Sequence, residues 1–326
     1  MKVSAETVSG AEVGKTQRPL GASSVMREKL SLVKKNMSLY FILIPGLVYL
    51  LIFKYIPMYG LVIAFQNFNI FEGIKGSEWV GLANFTKLVA SDEFWSVFRN
   101  TLIISIYKIV ILFPLPIMTA LLLNEIRHTM YKKTVQTIVY LPHFLSWVVI
   151  AGLFINILSP TSGLVNKAIN AFGGESINFM MSKEWFRSVL IFTAGWKETG
   201  WSTVIYIAAI AGINQDMYEA AALDGAGRVQ QMWYITLPAI IPTIVLMLIL
   251  RLGSILEAGT EQILMMYNPT VYEVGDVIGT YVYRMGVGKM EYSFTTAVGL
   301  FNSVVGFILI ISGNFISRRL TGSSIW

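Results

Sequence analysis

The chain has 326 residues, 55% of them hydrophobic and 13% charged; a soluble domain carries roughly 25% charged residues, so a membrane protein is expected. There is no cysteine, and the two histidines are His128 and His143, which excludes structural disulfides and Cys- or His-rich metal sites. In so apolar a chain the net charge of +6 suits anionic lipid headgroups better than nucleic acid.

Residues 1–36 are polar and hold seven Lys or Arg. They read as a cytoplasmic tail before an uncleaved first span, because a secretory signal has an apolar stretch of only about 7–15 residues. Within the tail, Met26–Lys35 reads equally as a basic helix lying at the membrane surface or as further disorder. Gly10–Thr16 looks like a phosphate loop. However, three residues separate Gly10 from Gly14 where the nucleotide-binding pattern needs four, and no strand precedes it. No nucleotide hydrolysis is therefore expected of this chain, and no Ser-His-Asp or Cys nucleophile set points to other catalysis.

A bilayer core is crossed by about 20 apolar residues in helical form. Six segments reach that length: 38–65, 97–123, 134–158, 187–213, 238–266 and 293–316. Helix is expected in each, since in lipid every backbone polar group needs an internal partner. Pro45, Pro114, Pro116 and Pro242 fall inside spans. With the N-terminus inside, the inner segments carry 13 Lys or Arg against eight in the outer loops and the span ends adjoining them, the sense of the positive-inside rule. The expected organisation is an all-α integral membrane protein with six transmembrane helices and both termini cytoplasmic. It has a tail at 1–36, a spanning domain at 37–320 and a short tail at 321–326.

The inner loop at 214–237 is acidic for its side, with Asp216, Glu219 and Asp224 against Arg228. Residues 219–238 read EAAALDGAGRVQQMWYITLP. Good helix formers run from Glu219 to Leu223, Asp224-Gly225 is a turn dipeptide, and Pro238 is placed at the opening of the fifth span. A small-residue helix protruding between two spans lets another protein surface approach closely.

This segment resembles the EAA loop of binding-protein-dependent ABC importer permeases. Glu219, Ala220, Ala221, Asp224, Gly225, Ala226, Ile235, Leu237 and Pro238 fall in register with that pattern. Met232 stands where the family usually has Phe, which keeps an apolar knob without an aromatic ring. Gly81-Leu82-Ala83-Asn84-Phe85, Phe94-Trp95, Asn100-Thr101-Leu102, Ala120-Leu121-Leu122-Leu123-Asn124 and Tyr140-Leu141-Pro142 are similar to the maltose-type sugar permeases. Within that group the chain is most similar to the Gram-positive subfamily importing complex polysaccharide fragments. The resemblance implies a type I ABC importer permease architecture and an alternating-access pore shared with a second permease subunit. It also implies a cytoplasmic ABC ATPase dimer that carries ATP and Mg and docks on the EAA loops, and an extracellular solute-binding lipoprotein that delivers a carbohydrate. No cofactor is expected on this chain. The ATPase-coupling residues it implies are Glu219, Ala220, Ala221, Asp224, Gly225 and Ala226. The competing reading is an ATP-independent six-span secondary transporter or channel, which inverted repeats would support; none is visible.

Charges within spans are costly and point to function by default. Lys197 and Glu198 lie roughly 15 Å from the outer end of the fourth span by helical rise, and Arg251 roughly 20 Å from the inner end of the fifth. In a core of about 30 Å Glu198 and Arg251 can pair or face one wet cavity. Glu257 and Glu261 are four apart, hence on one helix face. They are read as hydrogen-bonding sugar hydroxyls or as solvated. Trp196, Trp201, Tyr281 and Tyr283 suit the C–H faces of sugars, but Trp and Tyr also gather at membrane interfaces. Trp196, Lys197, Glu198, Trp201, Arg251, Glu257, Glu261 and Tyr281 make up the candidate substrate pathway. Lys54 and Lys108 are expected to snorkel toward headgroups, and His143 to be a hydrogen-bonding residue.

Overall fold

The computed structural model describes residues 36–321. The tail before them, with Met26–Lys35 and Gly10–Thr16, and residues 322–326 lie outside that range. The chain divides after Gly60 into two units, described separately here.

In the first unit, Met37–Leu50 is α-helical with Pro45 inside it, and the wide turn Leu51–Tyr55 precedes Pro57. Proline has no N–H, and its ring clashes with the carbonyl four residues back. Widening the preceding turn to i→i+5 hydrogen bonds lets a helix pass this obstacle. The second unit repeats the device. Lys108–Leu112 is such a turn before Pro114, and Met232–Thr236 before Pro238. As a result Asp92–Glu125 is one 34-residue rod, and the fifth span starts at Arg228 rather than at Pro238.

Among the described residues four helices are long and apolar enough to cross a membrane: Met37–Phe65, Asp92–Glu125, Arg228–Gly253 and Tyr292–Phe315. A fifth span is made if Thr129–Phe144 and Trp147–Ile157 count as one across their 102° bend. Phe186–Ala211, with 26 residues, has the length, but Arg187, Lys197 and Glu198 interrupt its apolar character.

Two runs that are continuous in hydropathy are broken in space. The third folds around the short turn Leu141–Phe144, after which Ser146 caps the next helix by accepting the Val149 N–H at 3.3 Å. The fifth ends at Gly253 and continues through the turn Ile255–Glu257. Two left-handed residues follow, Ala258 (φ 49°) and Gly259 (φ 81°), before the short helix Thr260–Met266. Glu257 and Glu261 therefore flank a break and share no helix face.

Three apolar clusters hold the second unit together. The largest sets Trp147, Ile150 and Phe154 against Phe186, Leu190 and Ala194 of the Phe186–Ala211 helix and Ile263 and Met266 beyond the break. A second joins Phe94 and Val97 to Ile278, Tyr281, Phe294 and Val298. The third joins Ala120, Tyr206, Ile210 and Ile240 where the Phe186–Ala211 helix runs toward the 214–237 loop. The strand pairing seen among the described residues is a two-residue antiparallel contact, Gln66–Asn67 with Glu78–Trp79.

Candidate functional site

The 214–237 segment forms a helix over Gln215–Leu223, which begins four residues before Glu219. Asn214 caps it, its side-chain oxygen accepting the Asp216 N–H at 3.0 Å. At the other end the Gly225 N–H donates to Ala222 O at 3.1 Å and the Ala226 N–H to Ala221 O at 2.8 Å. Gly225 has φ 81°. This is the paired-bond helix terminus that a left-handed glycine makes possible, and it explains the Asp-Gly-Ala sequence locally. A second short helix, Arg228–Gln231, then leads into the fifth span.

No residue of Gln215–Leu223 is buried. Leu223 is 90% exposed, and Val229, Trp233 and Tyr234 are exposed beside it in sequence. The base of the loop is anchored: Tyr218 Oη lies 2.8 Å from Thr236 Oγ1, and Arg228 lies 3.7 Å from the Glu125 carboxylate. Glu219, Ala220, Asp224 and Gly225 are thus presented outward on a fixed base, with apolar side chains exposed around them.

The second site lies midway along two rods and at the end of a third. Glu198 is about 18 Å from the start of Phe186–Ala211 by helical rise, and Lys108 about 24 Å from the start of Asp92–Glu125. Arg251 sits just before the break in the fifth span. Its Nη2 donates to Glu198 Oε2 at 3.3 Å, and both side chains keep about a third of their surface open. They share two adjoining cavities, of about 280 and 130 Å³, with Lys108 and Ser254. Glu257 lines the smaller one. A charge pair that keeps about a third of its surface open avoids the full cost of desolvation that a sealed pair would incur.

Lys108 does not snorkel. It is 3% exposed, and its Nζ donates to Ala258 O at 3.0 Å and Gln262 Oε1 at 2.6 Å. Ser105 Oγ donates to Ile255 O. The broken fifth span frees carbonyls, and in a membrane interior each needs a donor; the second span supplies two. Gln262 is fully buried and passes the network on to Leu190 O and Thr193 Oγ1, both at 2.7 Å. Hydropathy does not reveal these partners, since Ser105, Lys108 and Gln262 sit in apolar surroundings. The available signal was a lysine inside a span with no carboxylate near it in sequence.

Lys197 turns away from Glu198. Its Nζ donates to His143 O at 2.8 Å and to Leu145 O, and sits 5.4 Å from the Trp147 ring. It therefore satisfies the bend in the third span. Trp201 stacks on His143 at 4.7 Å, and Trp196 packs edge-on to Phe154 at 5.6 Å. Trp196 also lines a separate, largely apolar cavity of about 660 Å³. Tyr281 is 1% exposed and packed in the second apolar cluster. Near it Arg284 bonds Asp276 at 2.6 Å and Glu93 at 3.0 Å. Burial opposes the Arg284 charge, but these two carboxylates outweigh it and raise its pKa above the usual arginine value. Glu261 is exposed on the short helix after the break. Of the eight pathway candidates, the structure brings Glu198, Arg251 and Glu257 together around the cavities.

Residues 112–322 match the model of the family described as binding-protein-dependent transport system inner membrane component. The chain is 47% identical over 288 residues to the polygalacturonan/rhamnogalacturonan transport system permease protein YteP of Bacillus subtilis, covering 88% of this chain and 90% of that one. Two solved structures share the fold at TM-score 0.84 and 42% identity, each covering 90% of this chain and 99% of the other. One is a bacterial ABC transporter involved in import of the acidic polysaccharide alginate; the other is the alginate transporter in complex with an alginate pentasaccharide-bound periplasmic protein. An ATP-independent secondary transporter is thereby set aside. The chain belongs to the family of binding-protein-dependent transport system inner membrane components, as a multi-pass membrane permease subunit of an ABC importer whose ATPase is a partner chain.

Proposed function

We propose that this permease translocates an acidic oligosaccharide, handed over by an extracellular solute-binding lipoprotein, through a pore shared with a second, homologous permease. The chain spans the membrane six times, with Phe186–Ala211 and the bent third run counted as spans, and both termini are cytoplasmic. An ATPase dimer holding ATP and Mg grips the Gln215–Leu223 helix. The observation that carries this reading is that helix. It bears the EAA residues, none of its residues is buried, and its termini are fixed by Asn214 and Gly225. A protrusion with a rigid base and an apolar tip can transmit a push from a docked partner. The Glu198–Arg251 pocket lies on the substrate pathway, where a charged pair open to water offers donors and acceptors to a sugar.

The acidic substrate class rests on the uronate chemistry of the polysaccharides handled by the relatives. The test is a panel of uronate and neutral oligosaccharides presented with the cognate solute-binding protein to the reconstituted transporter. Stimulated ATP hydrolysis is expected with uronate oligomers. Stimulation by neutral oligomers alone would refute the substrate class.

A further inference from the structure

The break in the fifth span is built around one lysine. Ala258 adopts φ 49° and Gly259 φ 81° in succession, a conformation costly for an alanine. The carbonyl that this turn frees at Ala258 points to Lys108 Nζ, and the Gln262 side chain closes the seat from the other side. A Cβ on residue 259 would overlap Lys108 Nζ, so glycine is needed there for space as well as for backbone angle. Serine at position 105 shows that an uncharged donor suffices to satisfy a freed carbonyl. A buried ammonium carries a desolvation cost that a hydroxyl does not, which suggests a purpose beyond satisfying Ala258. Lys108 also lines both cavities with Glu198 and Arg251. Arg251 and Ser254 immediately precede the break, so its geometry sets where the Arg251 guanidinium stands.

We propose that Lys108 is a positioning residue for transport. By gripping Ala258 O and Gln262 Oε1 it holds the fifth span in its broken form, and so keeps Arg251 opposite Glu198 in the pocket. This role rests on the pocket belonging to the substrate pathway. Without the grip, residues 254–259 relax toward the continuous helix that their hydropathy favours, and the pocket loses its shape.

The chain has no cysteine, which permits a direct readout. Ala258→Cys is made alone, with Lys108→Met, and with Gly259→Ala, which displaces the ammonium without altering it. Each variant is purified in the complete transporter with its partner chains. Labelling of the thiol by a small soluble maleimide is measured beside uptake driven by the loaded binding protein. Ala258 is 4% exposed, so slow labelling is expected in the parent. Lys108→Met and Gly259→Ala are each expected to speed labelling about tenfold or more. Both should lower the maximal uptake rate about tenfold, with the half-saturating concentration of loaded binding protein changed less than about twofold. Labelling and uptake both near the parent values would overturn the proposal. Loss of the assembled complex in both variants would also overturn it, by assigning Lys108 to folding alone. Faster labelling with undiminished uptake would show that Lys108 holds the break but would overturn its role in transport, by removing the pocket from the pathway.

Discussion

The Lys197 ammonium lies 2.8 Å from the carbonyl oxygen of His143, a residue 54 positions earlier in the chain. The charge thus closes the bend of the third span while its sequence neighbour Glu198 faces the cavity. Lys197→Met would leave the His143 and Leu145 carbonyls without this donor. Each unsatisfied buried acceptor costs about 1–3 kcal/mol. These sites are part-buried, so a total loss of about 2 kcal/mol is expected. It would be read as a lowered Tm of the purified transporter with little change in coupling of ATP hydrolysis to uptake.

One turn further on, Gly200 packs against the backbone of Val139 so closely that a Cβ would overlap its carbonyl oxygen. Gly200→Ala is expected to force the fourth helix off the first limb of the third, at a cost of about 1–3 kcal/mol or more. Gly152→Ala is the control, because a Cβ there meets nothing within 4 Å. Thermal unfolding of the two variants should separate them clearly.

Gly225 has open space around it but φ 81°. Gly225→Ala is therefore expected to cost only the left-handed backbone penalty, about 1 kcal/mol, and to assemble normally with a modest loss of coupling. Gly225→Pro also loses the N–H that bonds Ala222 O and cannot adopt positive φ. It is expected to leave the spans folded but abolish substrate-stimulated ATP hydrolysis, measured on the reconstituted complex.

Reversing one charge of the central pair, by Glu198→Arg or Arg251→Glu, places two like charges about 3.3 Å apart. Uptake is expected to fall about tenfold or more in each single variant, a change of about 1.4 kcal/mol. The double reversal should recover a measurable part of it. Uptake no higher in the double reversal than in the single variants would show that the two residues do not act as a pair.

The sequence made the rods legible, because hydropathy reports burial in lipid directly. It also made the Gln215–Leu223 protrusion legible through its fixed Glu, Ala, Asp and Gly positions. The Glu198–Arg251 contact followed from depth arithmetic alone, since both helices are regular up to those residues. What stayed hidden were the breaks at Leu141–Phe144 and Ala258–Gly259. Their residues are mostly apolar, and the donors that make them tolerable, Lys197 and Lys108, lie 54 and 150 positions away from the carbonyls they bond. For the same reason Lys108 read as a snorkelling side chain and Glu257 and Glu261 as neighbours on one face. Tyr281 read as a sugar platform because composition cannot tell an interfacial tyrosine from one packed against Phe294.

The account turns on the Gln215–Leu223 helix facing the cell interior and touching the ATPase. A single cysteine replacing Glu219 in this cysteine-free chain tests that in one preparation. In right-side-out and inside-out vesicles, an impermeant thiol reagent should label position 219 only from the cytoplasmic side, and a short bifunctional linker should join it to the ATPase subunit. Labelling of that cysteine from the outside of intact cells would contradict the coupling role of the loop.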